Sequence, residues 1–119
     1  MISGPVVFPR PSDNAALSQA AGLLRGFGDP TRLLILQRLA TKESRVVDLM
    51  EHLRLPQSTI SSHLACLRGC GLVDMQPRGR SSVYSLAHPE VLAFLAAAEE
   101  LAAAVGPAVA LCPRATEDM

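Results

Sequence analysis

The chain has 119 residues, of which 49% are hydrophobic and only 3% aromatic, and it contains no Trp. This length fits one small domain with an aliphatic core, and the scarcity of rings argues against an enzyme pocket lined with aromatic side chains. The formal net charge is zero, but residues 54–80 carry four arginines against Asp74 alone, whereas residues 81–119 carry five acidic residues against one arginine. A basic middle beside an acidic tail predicts a localised contact with nucleic acid.

The cysteine count and the apolar segments indicate the compartment. Three cysteines cannot all pair within one chain, which favours reduced thiols. The prolines among the first 12 residues are unlike a signal peptide, and the longest weakly charged apolar stretch, residues 101–112, is too short to span a bilayer. We therefore expect a cytoplasmic protein without a membrane segment.

The sequence predicts a flexible N-terminal arm. After the arm, apolar residues at helical spacing predict five helices. The arm covers residues 1–12, and Ser12 or Asp13 is expected to cap the first helix. Asp29 and Pro30 supply a cap and a first-turn proline for the second helix, while the proline in Leu55-Pro56 forbids continuation of the third. The predicted helices cover residues 13–26, 30–40, 44–53, 57 to 69–71 and 88–105.

Two short strands are predicted at residues 72–75 and 82–86, on either side of a Pro/Gly/Arg turn at residues 76–80. The order of the elements is that of a mainly α winged helix-turn-helix, with about five helices and two strands. We expect this domain over residues 13–105 and a tail over residues 106–119. The first and last helices are apolar beyond one face, which predicts a symmetric homodimer through these terminal helices.

The fourth helix has the composition of a DNA recognition helix. Ile60, Leu64 and Leu67 define its core face, and short hydroxyl and amide side chains lie on the opposite face. Such groups add little helix stability, but they fit a major groove. The alternative is a Ser-rich exposed helix without a role. The predicted DNA contacts on this helix are Gln57, Ser58, Thr59, Ser61, Ser62 and His63.

The tip of the hairpin is the second predicted DNA contact. Arg78 and Arg80 flank Gly79, and two arginines in a turn are by themselves compatible with simple solvation. Beside a recognition helix, the better interpretation is a wing that contacts phosphate or the minor groove.

Three segments carry a family resemblance. FGDPTRLLIL at residues 27–36, LPQSTISSHL at residues 55–64, and GLV at residues 71–73 before the RGR turn and Tyr84 resemble the ArsR/SmtB family of metal-responsive repressors. The resemblance covers roughly residues 13–105. It implies a homodimer that binds operator DNA and loses affinity for it on binding metal.

Members of this family bind metal at different places. The third-helix site needs paired cysteines, and residues 41–50 contain none; for the last-helix site, His88, Glu99 and Glu100 match poorly. Residues 63–73 resemble the cadmium- and lead-sensing members instead. In those members two cysteines of the recognition helix and one from the partner subunit's C-terminal tail bind the ion. The resemblance therefore implies Cys66, Cys70 and Cys112 as metal ligands.

The spacing of Cys66 and Cys70 supports this interpretation independently. Residues four apart on a helix have Cβ atoms about 5–6 Å apart, which suits two thiolates on one ion. That separation is too wide for a comfortable disulfide, whose Cβ atoms lie about 3.5–4.5 Å apart. Three thiolates favour cadmium or lead as the effector, with zinc as a further candidate. The alternative is that the cysteines are small core residues.

In the predicted mechanism, metal ties the recognition helix to Cys112 and draws the acidic tail onto it, which weakens DNA binding. Whether Cys112 binds within or across subunits stays open. The main rival is a thiol redox sensor on the same fold, although a helix C-terminus raises the pKa of a thiol such as Cys70. A thiol enzyme lacks an acid–base partner, and a pure dimerisation scaffold does not explain the Ser-rich helix face.

Overall fold

The computed structural model describes residues 14–106. Within this range the chain forms the predicted winged helix-turn-helix, with five helices and a small antiparallel sheet. The predicted arm, the tail with Cys112, and the caps Ser12 and Asp13 lie outside the described residues. The elements are α1 (Asn14–Phe27), α2 (Pro30–Thr41), β1 (Ser44–Arg45), α3 (Val46–Leu53), α4 (Gln57–Gly69), β2 (Val73–Arg78), β3 (Ser81–Leu86) and α5 (Glu90–Val105).

Helix α2 begins as predicted. The Asp29 side chain accepts the backbone N–H groups of Thr31 at 2.8 Å and Arg32 at 3.1 Å, and Pro30 occupies the first turn, where no N–H partner is needed. Ile35 and Leu36 on this helix are completely buried. Helix α2 is therefore the centre around which the other elements pack.

The core is aliphatic, as the composition predicts. Ile60, Leu64 and Leu67 of α4 are each at most 1% exposed, which confirms the predicted core face of that helix. Burying one such side chain contributes about 1.5–3 kcal/mol to folding. The position of α4 is thus fixed by one face, and its other faces are left for contacts outside the core. The completely buried large side chains are Ile35, Leu36, Leu49, Ile60, Leu64 and Leu67.

The helix-turn-helix consists of α3, a short turn and α4. Asp48 accepts the backbone N–H of Arg45 at 2.9 Å and so caps the start of α3. Helix α3 ends at Arg54, whose φ of 57° lies in the left-handed region and turns the chain. Helix α4 begins directly after Pro56. The predicted break at Leu55-Pro56 is therefore where the chain turns into α4.

The sheet has three strands in the order β1-β3-β2, and the sequence predicted only two of them. The prediction that helix three starts at Ser44 is wrong, because Ser44 and Arg45 pair with Tyr84 and Val83 of β3. A strand of two residues is too short to show an alternating pattern. Its formation depends on β3, which is distant in sequence.

The wing is the hairpin of β2 and β3, and its strands are longer than predicted. The ladder continues to Arg78 opposite Ser81, which leaves Gly79 and Arg80 as a two-residue turn. Gly79 has a φ of +63° while Arg80 does not have a positive φ, as expected for a turn with glycine at its first central position. Pro77 lies within β2, which it tolerates because β2 is an edge strand.

The terminal helices meet through Phe27 of α1 and Phe94 of α5, whose ring centroids lie 4.3 Å apart. Both helices nevertheless expose large apolar side chains in the single chain, as the prediction of a dimer through them requires. None of the helices between residues 14 and 106 is long and apolar enough to cross a membrane. The exposed apolar residues on α1 and α5 are Leu17, Leu23, Leu24, Leu92, Leu101 and Val105.

Candidate functional site

The serine face of α4, which we define as Ser58, Ser61 and Ser62, points away from the core. Ser58 and Ser62 are exposed and Ser61 is half-buried. Across residues 14–106, none of the three hydroxyls takes part in a hydrogen bond with another group of the protein. Gln57 is also exposed, whereas Thr59 is half-buried. The face thus presents free hydroxyl groups to a partner, as the predicted DNA contacts require.

His63 lies on a different side of α4. Its Nε2 atom is 4.0 Å from Oδ1 of Asp29, and its side chain is 22% exposed. The imidazole therefore lies beside the carboxylate that caps α2. The DNA contact of His63 stays a prediction, and its ring lies on a different side of α4 from the serine face.

Cys66 and Cys70 lie on this same side of α4, and we call His63, Cys66 and Cys70 the cysteine flank. Both cysteines are free and exposed. The backbone N–H of Cys70, the residue after the last of α4, donates to the carbonyl of Cys66 at 3.0 Å. This bond keeps the helical four-residue spacing, so the Cβ atoms lie about 5–6 Å apart. Neither cysteine belongs to the buried core, but the Cys70 sulfur packs against α1, so the predicted alternative of packed cysteines is wrong for Cys66 alone.

Arg32 of α2 contacts the Cys66 sulfur. Its Nη1 atom donates to Sγ of Cys66 at 3.2 Å and to the backbone carbonyl of Arg25, near the end of α1, at 3.2 Å. Sequence reasoning did not single out Arg32 as a site residue. The available signal was its place three residues after the cap Asp29, in the motif that carries the family resemblance.

The Cys70 sulfur lies against α1, although Cys70 as a residue is exposed. A Cβ added to Gly26 would lie 3.1 Å from this sulfur and 3.4 Å from Cδ1 of Leu72. Burial of the sulfur raises the pKa of Cys70 above its ordinary value, and the neighbouring Cys66 thiol raises it further. Arg32 and Arg25 act in the opposite direction. Gly26 is a second site residue that sequence reasoning missed, because its role depends on a contact between α1 and α4.

As a donor set, the two thiols fit a soft metal ion, since both residues are free and exposed and lie one helical turn apart, although the Cys70 sulfur packs against α1. Two protein ligands do not complete a site. No group of three or more His, Cys, Asp or Glu side chains in the described part of the chain is placed to hold a metal ion. The predicted third ligand, Cys112, lies beyond residue 106. Any complete site built on this pair must therefore take a further ligand from elsewhere.

The wing arginines differ in their surroundings. Arg78 forms an ion pair with Glu43 through both terminal nitrogens, the longer contact joining Nη2 and Oε2 at 3.4 Å. Within residues 14–106, Arg80 in the turn forms no ion pair. Among the described residues, Arg80 therefore has no carboxylate partner, whereas Arg78 is paired with Glu43.

These features define a winged helix-turn-helix DNA-binding protein, in which α4 is placed to enter the major groove. Residues 29–75 match the family described as "Bacterial regulatory protein, arsR family". The chain is also 40% identical over 85 residues, 71% of each chain, to the HTH-type transcriptional regulator NmtR of Mycobacterium tuberculosis. It belongs to the ArsR family, so it is a DNA-binding transcriptional regulator and not an enzyme, as predicted.

Two further relatives and a solved structure are informative. The chain is 35% identical over 94 residues to a "Probable mercury resistance operon repressor" of Streptomyces lividans, covering 79% of this chain and 75% of that one. It is 46% identical over 70 residues, 59% of each chain, to the regulator CmtR of Mycobacterium bovis. The structure of Mb0332 from M. bovis, described as a homodimeric winged helix-turn-helix DNA-binding domain, matches with a TM-score of 0.71 at 26% identity, over 82% of this chain and 90% of that one.

Proposed function

We propose that this regulator is a metal-responsive repressor, which binds operator DNA as a homodimer and dissociates on binding a soft divalent ion such as Cd(II) or Pb(II). Zn(II) is a further candidate effector. The observation that carries the proposal is the pair of free cysteines, Cys66 and Cys70, both exposed as residues and one helical turn apart on the recognition helix itself. Its place of action is the cytoplasm, where thiols stay reduced.

For DNA binding, the serine face enters the major groove and the wing tip contacts the backbone. Gln57, Ser58 and Ser62 are exposed on α4, and Arg78 and Arg80 are exposed on the wing. A homodimer through α1 and α5 would cover the apolar side chains that both helices expose. Its two recognition helices would read half-sites about 34–36 Å apart on a two-fold symmetric operator.

For metal binding, Cys66 and Cys70 supply two thiolates and Cys112 supplies the third. Thiolates select soft ions, and the relative from Streptomyces lividans is named for resistance to mercury, which is itself thiophilic. Because two of the ligands belong to α4, tying them to the tail acts directly on the helix that reads DNA. Coupling of about 1–3 kcal/mol between metal and DNA is typical of such linkage.

The first experiment is an ultraviolet titration of reduced protein with Cd(II), in which thiolate-to-metal charge transfer reports each bound sulfur. The wild type is compared with Cys112→Ser and with the variant that lacks both Cys66 and Cys70. We expect the absorbance per metal to fall by about a third in Cys112→Ser, since one of three thiolates is lost. An unchanged spectrum in Cys112→Ser would remove the tail from the site.

The second experiment measures operator affinity of reduced protein with and without Cd(II) at fixed salt. We expect Cd(II) to weaken binding by about 5-fold to 150-fold, the range of ordinary allosteric coupling. Equal affinities would end the proposal of metal-responsive release. The variant that lacks both recognition-helix cysteines is the control, because its operator affinity should not respond to Cd(II).

A thiol redox sensor is the second candidate function, and the contact between Arg32 and the Cys66 sulfur favours it. The raised pKa of Cys70 disfavours it, since the thiolate is the reactive form. In this alternative, peroxide would oxidise the Cys66 thiol to a sulfenic acid and release one molecule of water, because Cβ atoms about 5–6 Å apart are too distant for a comfortable disulfide with Cys70. Counting free thiols after mild peroxide treatment, alongside operator affinity, separates the two functions.

A further inference from the structure

The guanidinium of Arg32 joins the cysteine flank to α1. Its Nη1 atom lies 3.2 Å from Sγ of Cys66 and 3.2 Å from the carbonyl oxygen of Arg25. The backbone of Arg32 is itself held, because its N–H donates to the Asp29 side chain that caps α2. A single side chain therefore connects the start of α2, the end of α1 and the recognition helix.

Within residues 14–106, both hydrogen bonds of the Arg32 side chain are donated by its Nη1 atom. The Nε atom of Arg32 is buried and has no partner among residues 14–106. Among the described residues, the guanidinium donates only to the Cys66 sulfur and to the carbonyl of Arg25 at the end of α1. A positive group fixed beside a sulfur is what a bound soft ion needs around it, since three thiolates on one divalent ion leave a net negative charge.

We propose that Arg32 is a positioning residue for the metal site, which donates an N–H to the Cys66 thiolate and compensates the charge of the thiolate cluster. This inference rests on the proposed function. Groups that hydrogen-bond to a metal ligand fix its orientation and tune its donor strength. Because Arg32 also holds the carbonyl of Arg25, its bond to Cys66 links the metal site to α1 as well as to α2.

The direct test is Cd(II) affinity of Arg32→Met, compared with Arg38→Met as the matched control. Arg38 lies on the same helix and also has a buried, unpartnered Nε within the described residues, but it contacts neither cysteine. We expect Arg32→Met to lose about 10-fold to 100-fold in Cd(II) affinity, as is usual for a residue bonded to a metal ligand. We expect Arg38→Met to bind Cd(II) like the wild type.

The charge-transfer band separates a direct effect on sulfur from a loss of stability. A hydrogen bond to a thiolate lowers the energy of its electrons, so removing the bond in Arg32→Met should shift the Cd(II) band to longer wavelength. In a Cys66→Ser background the same substitution should leave the band unchanged. If the wild type binds Cd(II), and Arg32→Met binds it equally with the same band, the inference is wrong while the proposed function stands.

A metal-free measurement tests the contact even if no metal binds. The rates at which iodoacetate and iodoacetamide modify Cys66 are compared, because their ratio cancels the thiolate fraction and reports the local charge. Loss of Arg32 should lower this ratio about 1.4-fold to 5-fold, the effect of one exposed charge pair. An unchanged ratio would show that the guanidinium does not act on the sulfur. A lowered ratio without Cd(II) binding would support the contact while the proposed function failed.

Discussion

Helix α4 has two surfaces that differ in their contacts with the rest of the protein. The serine face makes no side-chain hydrogen bonds within residues 14–106, and Ser58 and Ser62 are exposed. The cysteine flank is held from several sides: His63 lies beside Asp29, Cys66 accepts from Arg32, and the sulfur of Cys70 lies against α1. One surface is left open for a partner, while the other is connected to the neighbouring helices.

In the proposed function, this difference allows one helix both to bind DNA and to bind metal. A surface that reads DNA must keep its hydroxyl groups unpaired until DNA arrives. A surface that controls the helix must instead contact the elements that set its position, here α1 and α2. In the proposed function, placing both on α4 gives a short path from the thiols to the DNA-contacting groups. Substitutions on one surface should therefore leave binding at the other surface unchanged.

Removing both thiols of the cysteine flank should separate metal binding from DNA binding. The double substitution Cys66→Ser and Cys70→Ser should reduce Cd(II) affinity by more than the about 10-fold to 100-fold that removal of a residue bonded to a metal ligand costs. Operator affinity without metal should change by less than about twofold, because the serine face is untouched. Isothermal titration and fluorescence anisotropy measure the two affinities.

The matched variant is Ser58→Ala combined with Ser62→Ala. Each hydroxyl contributes a hydrogen bond of about 0.5–1.5 kcal/mol, so operator affinity should fall at least about fivefold while Cd(II) affinity stays the same. Alanine is the better helix former, so unfolding cannot be the cause. If either pair of substitutions changed both affinities strongly, the two surfaces of α4 would not be separable.

Much of this architecture could be predicted from local sequence. Asp29-Pro30, Leu55-Pro56 and Gly79 place the start of α2, the start of α4 and the wing turn, because each acts through its immediate neighbours. The core face of α4 followed from helical spacing. Strand β1 did not, because its two residues form a strand only by pairing with β3.

The surroundings of the thiols could not be predicted for the same reason. The spacing of Cys66 and Cys70 is local, and the structure keeps it. Arg32 and Gly26 reach the cysteine flank only after α1 and α2 have packed beside α4. Nothing in the spacing of the sequence indicates which arginine faces a sulfur. The ion pair of Glu43 with Arg78 likewise depends on the sheet.

The wing is proposed to contact DNA together with the serine face. A substitution in the wing should therefore change DNA binding and leave metal binding unchanged. Replacing Arg80 by Ala should reduce the slope of log affinity against log salt by about 1 for each lost phosphate contact. Cd(II) affinity should not change. Measuring operator affinity at several salt concentrations for the wild type and Arg80→Ala gives this slope directly, and an unchanged slope would exclude Arg80 from the DNA interface.

Glu43→Gln tests the same wing with a substitution that should strengthen DNA binding. It removes the ion-pair partner of Arg78 and should therefore strengthen DNA binding at low salt, by about the 1.4-fold to 5-fold that an exposed ion pair of 0.2–1 kcal/mol represents. Anisotropy at low and high salt measures the gain, which should shrink as salt screens the charges. Weaker binding in Glu43→Gln would mean that the ion pair holds the wing in its DNA-binding position.

Two glycines of α1 probe the cysteine flank with a smaller effect. Gly22→Ala should stabilise the protein by about 0.5–1 kcal/mol, since among residues 14–106 a Cβ there meets only Arg25 at an ordinary 3.7 Å. Gly26→Ala should lose that gain and weaken Cd(II) binding, because its Cβ would lie 3.1 Å from the sulfur of Cys70. Urea unfolding and Cd(II) titration are the measurements. Equal behaviour of the two variants would show that the sulfur moves without consequence.

The contact between Arg45 and Asp48 at the start of α3 should make the stability of the protein depend on pH. It lies outside the cysteine flank, so metal binding is not involved. The backbone N–H and side chain of Arg45 bond to Asp48 and lower the pKa of its carboxyl below the ordinary 3.8. This contribution to stability is present above the pKa of the unfolded chain and is lost as pH falls through the lowered folded value. Asp48→Asn should therefore have a lower Tm than the wild type at pH 7, and the gap should close as pH falls through the lowered pKa of Asp48. Thermal unfolding of both proteins between pH 7 and pH 2.5 measures the gap, and a gap that persists in acid would mean that the carboxylate charge does not stabilise α3.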